Sequence, residues 1–432
     1  MKKFLAVLLV LCFVAIPFIF AGCELKNTVT LEGGPSEEDE VVGNGSFVVK
    51  KGDYLYFANG YVKTSDLGTG GLNNELGNVE NGALCRAKVE YVTEGTAGDE
   101  DFSEKLEIKN VELLLSKVVG FDNSGLFIFG DKIYFGTPAT SRDNSGDFEY
   151  KQITFYSMNL DGSNLTKIYQ TNNFDGGEYK FANFENEVYL IVKNNSKLLR
   201  ISTNGKETLL AEKVQSAIIE KNVVYYTLKN EKSTDRLDYG TVLYSKNIKT
   251  LEENKLFEEE YLTITLLKFE NQKLYYTRNY LVSEKVPSTS SFIYSNTLSG
   301  ETFKDGETKL LNQTDISEIS EIASGVVYIN SGKLYLRNNT LKKLSSSASK
   351  ILFTQGNLVY YVDSSALYRI DTSAENPSSK KLSGSNTINT EYFDIDDGFV
   401  YFFVKNSTTN VYELYSLDIK YLGANATPTK VN

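Results

Sequence analysis

Histidine and tryptophan are absent from the 432 residues, and cysteine occurs three times. Without histidine there is no imidazole to act as a base near neutrality. There is likewise no Ser–His nucleophile pair and no imidazole metal ligand. Without tryptophan the strongest aromatic platform for sugar stacking is gone. Positive charge is also in deficit: 45 Lys and Arg face 56 Asp and Glu, for a net charge of −11. That balance argues against nucleic acid and anionic lipid headgroups as general partners. No glycine-rich phosphate loop follows a strand and opens a helix. Carboxylates remain available, in "DIDDG" (394–398) and "EEE" (258–260), and two carboxylates suffice for glycoside hydrolysis. "DNSGDFE" (143–149) spaces oxygen ligands like a calcium loop. It has Phe148 where that loop needs glycine and Thr154 where it needs glutamate. No cofactor and no metal are therefore expected.

The chain opens "MKKFLAVLLVLCFVAIPFIFAGCELK". Two lysines, an apolar run from Phe4 to Phe20 and the small residues Ala21 and Gly22 are the parts of a secretory signal peptide. An uncleaved anchor is the alternative, at the short limit for spanning a bilayer. "FAGC" resembles the lipobox of bacterial lipoproteins. The resemblance implies cleavage before Cys23 and a diacylglycerol on its thiol. The protein would then sit on the extracytoplasmic face of the membrane. Two or more acyl chains anchor stably where one does not. Residues 23–45 have few bulky apolar side chains, a Gly-Gly-Pro and the acidic run Glu37 to Glu40, the composition of a flexible tether. With Cys12 in the signal peptide and Cys23 lipidated, Cys85 has no disulfide partner, so a core must hold the head together. The expected organisation is a signal peptide over 1–22, a tether over 23–45 and a folded head over 46–432.

The head is repetitive. An aliphatic residue, a tyrosine and a further apolar residue recur as "LYF" (55–57), "IYF" (133–135), "VYL" (188–190) and "VYY" (224–226). They recur again as "LYY" (274–276), "VYI" (327–329), "VYY" (359–361) and "VYF" (400–402). Aromatic and β-branched residues at this density predict strands. A short polar turn such as "GDK" (130–132) or "QGN" (355–357) precedes the motif, and another apolar stretch precedes the turn. A third strand follows in each unit, from "LCR" (84–86) to "LYS" (414–416), and then a turn and a fourth, as in "TKIYQ" (166–170). Repeated four-stranded antiparallel units pack economically as blades around an axis. The expected fold is all-β, a propeller of eight blades, with seven as the alternative.

The unit "VYYVDSSALYRIDTSAENPSSKKL" (359–382) resembles the tyrosine-rich propeller repeat of low-density-lipoprotein-receptor type, known in bacterial lipoproteins as a domain of unknown function. "FYSMNLDGSNLTKI" (155–168) is also similar to the repeat of TolB-like propellers. The receptor signature Tyr-Trp-Thr-Asp keeps only its ends here, as Tyr360 and Asp363. The resemblance implies fold and not activity. Without tryptophan, the Asp-box of sialidase-like propellers and the docking motifs of quinoprotein propellers are excluded.

In such a blade the 1–2 and 3–4 turns share one face, and the 2–3 loops share the other with the blade connections. The 1–2 turns read as short. Long 2–3 loops are expected at 59–82, 137–152, 229–240 and 277–291, and long loops on a rigid scaffold are where binding usually resides. Of seven arginines, Arg86, Arg200, Arg337 and Arg369 fall in or beside third strands, whereas Arg142, Arg236 and Arg278 fall in these long loops. Arginine offers a planar fork for carboxylates and other anions. The alternative is local pairing with Asp143, Asp235, Asp238 or Glu284. Tyr239 and Tyr280 lie nearby and could stack on a sugar or peptide. The expected function is a non-catalytic binding module for a protein or glycan ligand on the long-loop face, lipid-anchored through Cys23, with no nucleic-acid partner. A carboxylate-dependent glycosidase or lyase, and an envelope-assembly scaffold, are the alternatives.

Overall fold

The computed structural model describes residues 41–431 except 60–70, 75–76, 81, 97–102, 120–124, 139–151, 172–177, 185, 232–238, 260–261, 281–289, 300–301, 304–307, 312–315, 365, 385–387, 397, 407, 409–411 and 420–427. The described residues form eight large antiparallel sheets over 48–118, 126–170, 178–211, 214–259, 262–311, 316–345, 350–381 and 388–430, the second of them joined by the strand Val42–Ser46, and a small two-stranded sheet over 71–80. The large sheets are blades 1 to 8 of a β-propeller. All eight copies of the tyrosine motif lie on second strands, as the repeat predicts. First strands of adjacent blades approach one another: Leu266 N donates to Ser216 Oγ at 3.3 Å, and the Ser320 and Thr354 hydroxyls lie 3.4 Å apart. First strands therefore surround the axis and fourth strands form the rim. Among the described residues, no helix is long and apolar enough to cross a membrane.

The core is divided among the blade interfaces. Phe127, Phe155, Tyr179 and Phe181 pack between blades 2 and 3; Val327, Leu334, Val359 and Tyr361 pack between blades 6 and 7. Within six blades an aromatic pair links second and third strands at paired positions: Phe135–Tyr156, Tyr226–Tyr244, Tyr276–Tyr294, Tyr328–Tyr335, Tyr361–Tyr368 and Phe402–Tyr415, with centroids 5.5–6.4 Å apart. Offset stacking of this kind stabilises beyond area burial. In five of these six the stacked residue is the third of the motif. In blade 6 it is the central Tyr328, so "VYI" sits one residue out of register with its neighbours. Five fourth strands also bulge beside an aliphatic residue: Ile168, Leu210, Leu256, Leu310 and Leu344. The extra residue re-aims the side chains that follow it.

The 3–4 turns share one device. Asp161 Oδ1 accepts from Ser163 N at 2.9 Å, Asn338 Oδ1 from Thr340 N at 2.9 Å, and Asp371 Oδ1 from Ser373 N at 2.9 Å. These are Asx turns, in which the side chain mimics a backbone turn. Burial opposes ionisation of Asp161, but the Ser163 hydroxyl and N–H and the nearby Arg86 hold its carboxyl below the usual range. The acidic tetrad of residues 161–164 is a hairpin turn.

Blades 8 and 1 each take their four strands from their own stretch of chain, so the ring closes without a strand exchanged between them. Three contacts do this work. Asp394, on the first strand of blade 8, accepts from Phe47 N at 2.6 Å and Val48 N at 3.3 Å, where the first strand of blade 1 begins. Phe47 packs on Phe403 at 4.7 Å. The third and fourth strands of blade 1, Ala83–Glu94 and Ser103–Val118, also run far past their second strand, Tyr54–Ala58. The resulting arm lies against blade 8, with Tyr91 stacked on Phe399 at 5.9 Å and Glu104 N donating to Asp418 Oδ2 at 2.8 Å. A turn face trimmed of projections, as the sequence suggested, is thus corrected: blade 1 sends this arm from it. Strand Val42–Ser46 pairs with the axial strand of blade 2, so strand structure reaches into the expected 23–45 tether.

Candidate functional site

Cys23, Arg142 and Arg236 lie outside the described residues. Tyr239 opens the third strand of blade 4, Tyr239–Asn247, opposite Glu231. Tyr280 closes the second strand of blade 5, Lys273–Tyr280, opposite Ser290, with its ring 5.9 Å from Phe292. Both tyrosines therefore stand at the base of 2–3 connections, on the expected face. Arg278 differs from expectation. It belongs to that same strand of blade 5 and not to the loop, because pairing with Phe292 and Ile264 carries the strand to Tyr280. Its guanidinium lies over Phe257 at 4.0 Å and Tyr294 at 4.8 Å, 3.3 Å from Glu259, and its side chain is 11% exposed. That is a packed cation between two rings. An acidic partner, Glu259, comes from the fourth strand of its neighbour, blade 4; Glu284, Asp143, Asp235 and Asp238 lie outside the described residues.

The arginines of the third strands join neighbouring blades. Arg86 is fully buried, lies over Tyr54 at 5.1 Å, and donates to Glu112 at 2.5 Å and to the carbonyl of Leu160 in blade 2 at 3.1 Å. Arg200 lies over Tyr189 at 5.2 Å and donates to the carbonyls of Ile248 and Lys249 in blade 4. In both, a guanidinium reaches the 3–4 turn of the next blade.

The axial strands hold a polar constellation that sequence reading missed. On blade 3, burial pushes the Glu178 carboxyl up, against the pull of Lys193 and Lys180, and pushes the Lys180 ammonium down, against Glu220 and Glu178. On blade 6, burial pushes Glu318 up, against Lys350 of blade 7 and Lys268 of blade 5. Lys268 also donates to Glu270 at 2.8 Å, and Ser320 donates to Glu270 at 3.3 Å. Lys273 reaches across to Glu321 at 2.5 Å. Burial takes the Asp394 carboxyl up to about 7, against the N–H groups of Phe47 and Val48, the Ser46 hydroxyl and Lys350. Of "DIDDG", Asp394 to Asp396 complete the strand Ile388–Asp396, which puts Asp394 against blade 1. A legible signal existed: "EYKFANF", "LTITLLKFE" and "ISEISEI" each carry charge inside an otherwise strand-like run. Four axial strands also bulge beside these positions, at Gln215, Leu267, Ser317 and Leu352. Bulges are frequent where a strand must re-aim a side chain. Chemically, the arrangement is a wall of mixed charge in which each named acid faces a lysine or a backbone N–H. Among the described residues, no group of three or more Cys, Asp or Glu is placed to hold a metal.

No family model matches the sequence, and no curated protein does. Solved structures do. The chain is similar to puromycin hydrolase (10% identity, TM-score 0.43, 70% of this chain and 53% of that one) and to the acylaminoacyl peptidase of Pyrococcus horikoshii (11% identity, TM-score 0.43, 72% and 52%). It is also similar to oligogalacturonate lyase of Vibrio parahaemolyticus (13% identity, TM-score 0.39, 78% and 98%). The chain spans about half the length of the first two.

Proposed function

We propose that this propeller is the head of a lipid-anchored extracytoplasmic protein and binds a protein or glycan ligand on its long-loop face without catalysing a reaction. The observation that carries this reading is the state of the axial acids. Catalysis by two carboxylates needs one group free to give a proton and another free to take one. Here Asp394 is engaged by two backbone N–H groups, Glu270 by Lys268 and Ser320, and Glu321 by Lys273. Binding then falls to the 2–3 connections, with Tyr239 and Tyr280 at their bases and Arg142 and Arg236 within them. Arg278 is a framework residue that keeps the edge of blade 5 in place.

The test is an array of cell-wall glycan fragments and peptides, probed with the mature chain. Combined Arg142→Ala, Arg236→Ala, Tyr239→Ala and Tyr280→Ala substitution should abolish any signal, and substitutions in the 1–2 turns should leave it intact. Equal loss from both faces would overturn the assignment. Burial also raises the carboxyls of Glu178, Glu318 and Asp394, which favours a carboxylate-dependent glycosidase or lyase as the second reading. Turnover of any arrayed glycan that Glu318→Gln abolishes would replace the binding reading with that one.

A further inference from the structure

We infer that the turn face, which carries the 1–2 and 3–4 turns, is the face held against the bilayer, with its exposed apolar turn residues resting on the lipid surface. This deepens the proposed function and rests on lipidation at Cys23. The argument begins with strand polarity. The first strand of blade 2, Leu126–Phe129, runs toward its 1–2 turn at Gly130. Val42–Ser46 pairs with it antiparallel, Val42 opposite Ile128 and Ser46 opposite Leu126. The chain therefore enters at the turn face and runs along the axis to the loop face, where the first strand of blade 1 begins. Val41 N, donating to Asn183 Oδ1 at 2.9 Å near the end of the first strand of blade 3, fixes the entry point at the same face. The entering segment is seated tightly. Gly43 and Gly45 have φ of 91° and 90°, and a Cβ on Gly125 would lie 1.8 Å from the Gly45 carbonyl oxygen.

Between Cys23 and Val41 lie 17 residues, which by √n scaling span about 21–25 Å. A tether of that reach, leaving from the axial end of the turn face, holds that face toward the membrane. Turning the opposite face inward would require the tether to run round the rim, stretched against its own chain entropy.

Surface composition agrees independently. Among the described residues, the most exposed large apolar side chains are Val42, Tyr91, Val92, Leu165, Leu209, Leu251, Leu341 and Ile395. All but Leu209 belong to the turn face. Leu165 and Leu251 sit in 3–4 turns, Leu341 opens a fourth strand, and Ile395 and Val42 lie at the turn ends of axial strands. Tyr91 and Val92 are on the arm of blade 1. Scattered apolar residues need no explanation singly. Collected on the face from which a lipid tether departs, they form a ring of shallow contacts suited to the headgroup–acyl boundary.

The mature chain would be coupled through Cys23 to maleimide-bearing phosphatidylethanolamine in phosphatidylcholine vesicles, which Cys85, being buried, does not disturb. Hydrogen exchange is then compared between free and coupled protein. Exchange should slow at 164–165, 249–251, 338–341 and 89–94, and stay unchanged in the opposite turns at 195–196 and 331–332. Combined Leu165→Ser, Leu251→Ser and Leu341→Ser substitution should remove that slowing. Slowing confined to 195–196 and 331–332, slowing nowhere, or slowing that survives the triple substitution would overturn the inference. Slowing of the turn face in intact cells but not on vesicles would assign it to a protein partner and overturn it equally. Failure of Cys23→Ser to abolish palmitate incorporation in cells would refute the lipid reading by itself, independently of which face meets the vesicle.

Discussion

Asp394→Ala should open the ring at its one junction between chain ends. The Asp394 carboxylate satisfies the N–H groups of Phe47 and Val48 at 2.6 and 3.3 Å. Alanine leaves both donors without an acceptor, at about 1–3 kcal/mol each, so roughly 2–6 kcal/mol in all. Asp394→Asn keeps an oxygen in place and should cost far less. The carboxyl is also raised from 3.8 to about 7, so the folded state binds its proton more tightly than the unfolded state does. Its contribution to stability is full below about pH 4 and is lost as pH rises toward 7, flattening above that. The upper limit is roughly 4 kcal/mol over that window. With 29 tyrosines and no tryptophan, tyrosine fluorescence and circular dichroism can follow denaturant unfolding from pH 4 to pH 8. The stability difference between wild type and Asp394→Asn, which cannot titrate, should fall across that range. Parallel pH profiles, or an alanine variant as stable as wild type, would refute the reasoning.

Three further outcomes are expected. Arg86→Ala removes a fully buried cation that holds Glu112 and the blade 2 carbonyl of Leu160; it should cost about 3–5 kcal/mol in thermal or denaturant unfolding. Tyr91→Ala deletes the stack on Phe399 and the contact with Lys50, 5.3 Å from the ring centroid; a loss of about 1 kcal/mol is expected, with faster hydrogen exchange confined to blades 1 and 8. Gly125→Ala places a methyl group against the Gly45 carbonyl; exchange at residues 42–46 should accelerate while the blades stay protected.

The repeat was legible because its information is local. A tyrosine between apolar residues, a polar turn before it and a third strand after it alternate with the period of a half-buried strand, and each lies within a few residues of the next. The turn before each fourth strand was legible for the same reason. What escaped the sequence depends on pairs far apart in it. Arg278 read as a loop residue because nothing adjacent shows that Ile264 and Phe292 extend the strand beside it. Asp394 read only as one of several available carboxylates because its partners, Phe47 and Val48, are more than three hundred residues away. The arm of blade 1 was not legible, since Tyr91 and Glu104 meet residues of blade 8 about three hundred positions away. Axial charge was overlooked because strand runs such as "ISEISEI" look like ordinary solvated edges until eight of them meet at one axis.

The central claim is that this ring presents its 2–3 connections to a partner. Photo-crosslinking residues placed at Tyr239 and Tyr280, and separately at Asn204 and Asn338 on the turn face, measure it most directly in intact cells. The account predicts protein or glycan adducts from the first pair and only lipid adducts from the second. Protein or glycan adducts confined to Asn204 and Asn338 would contradict it.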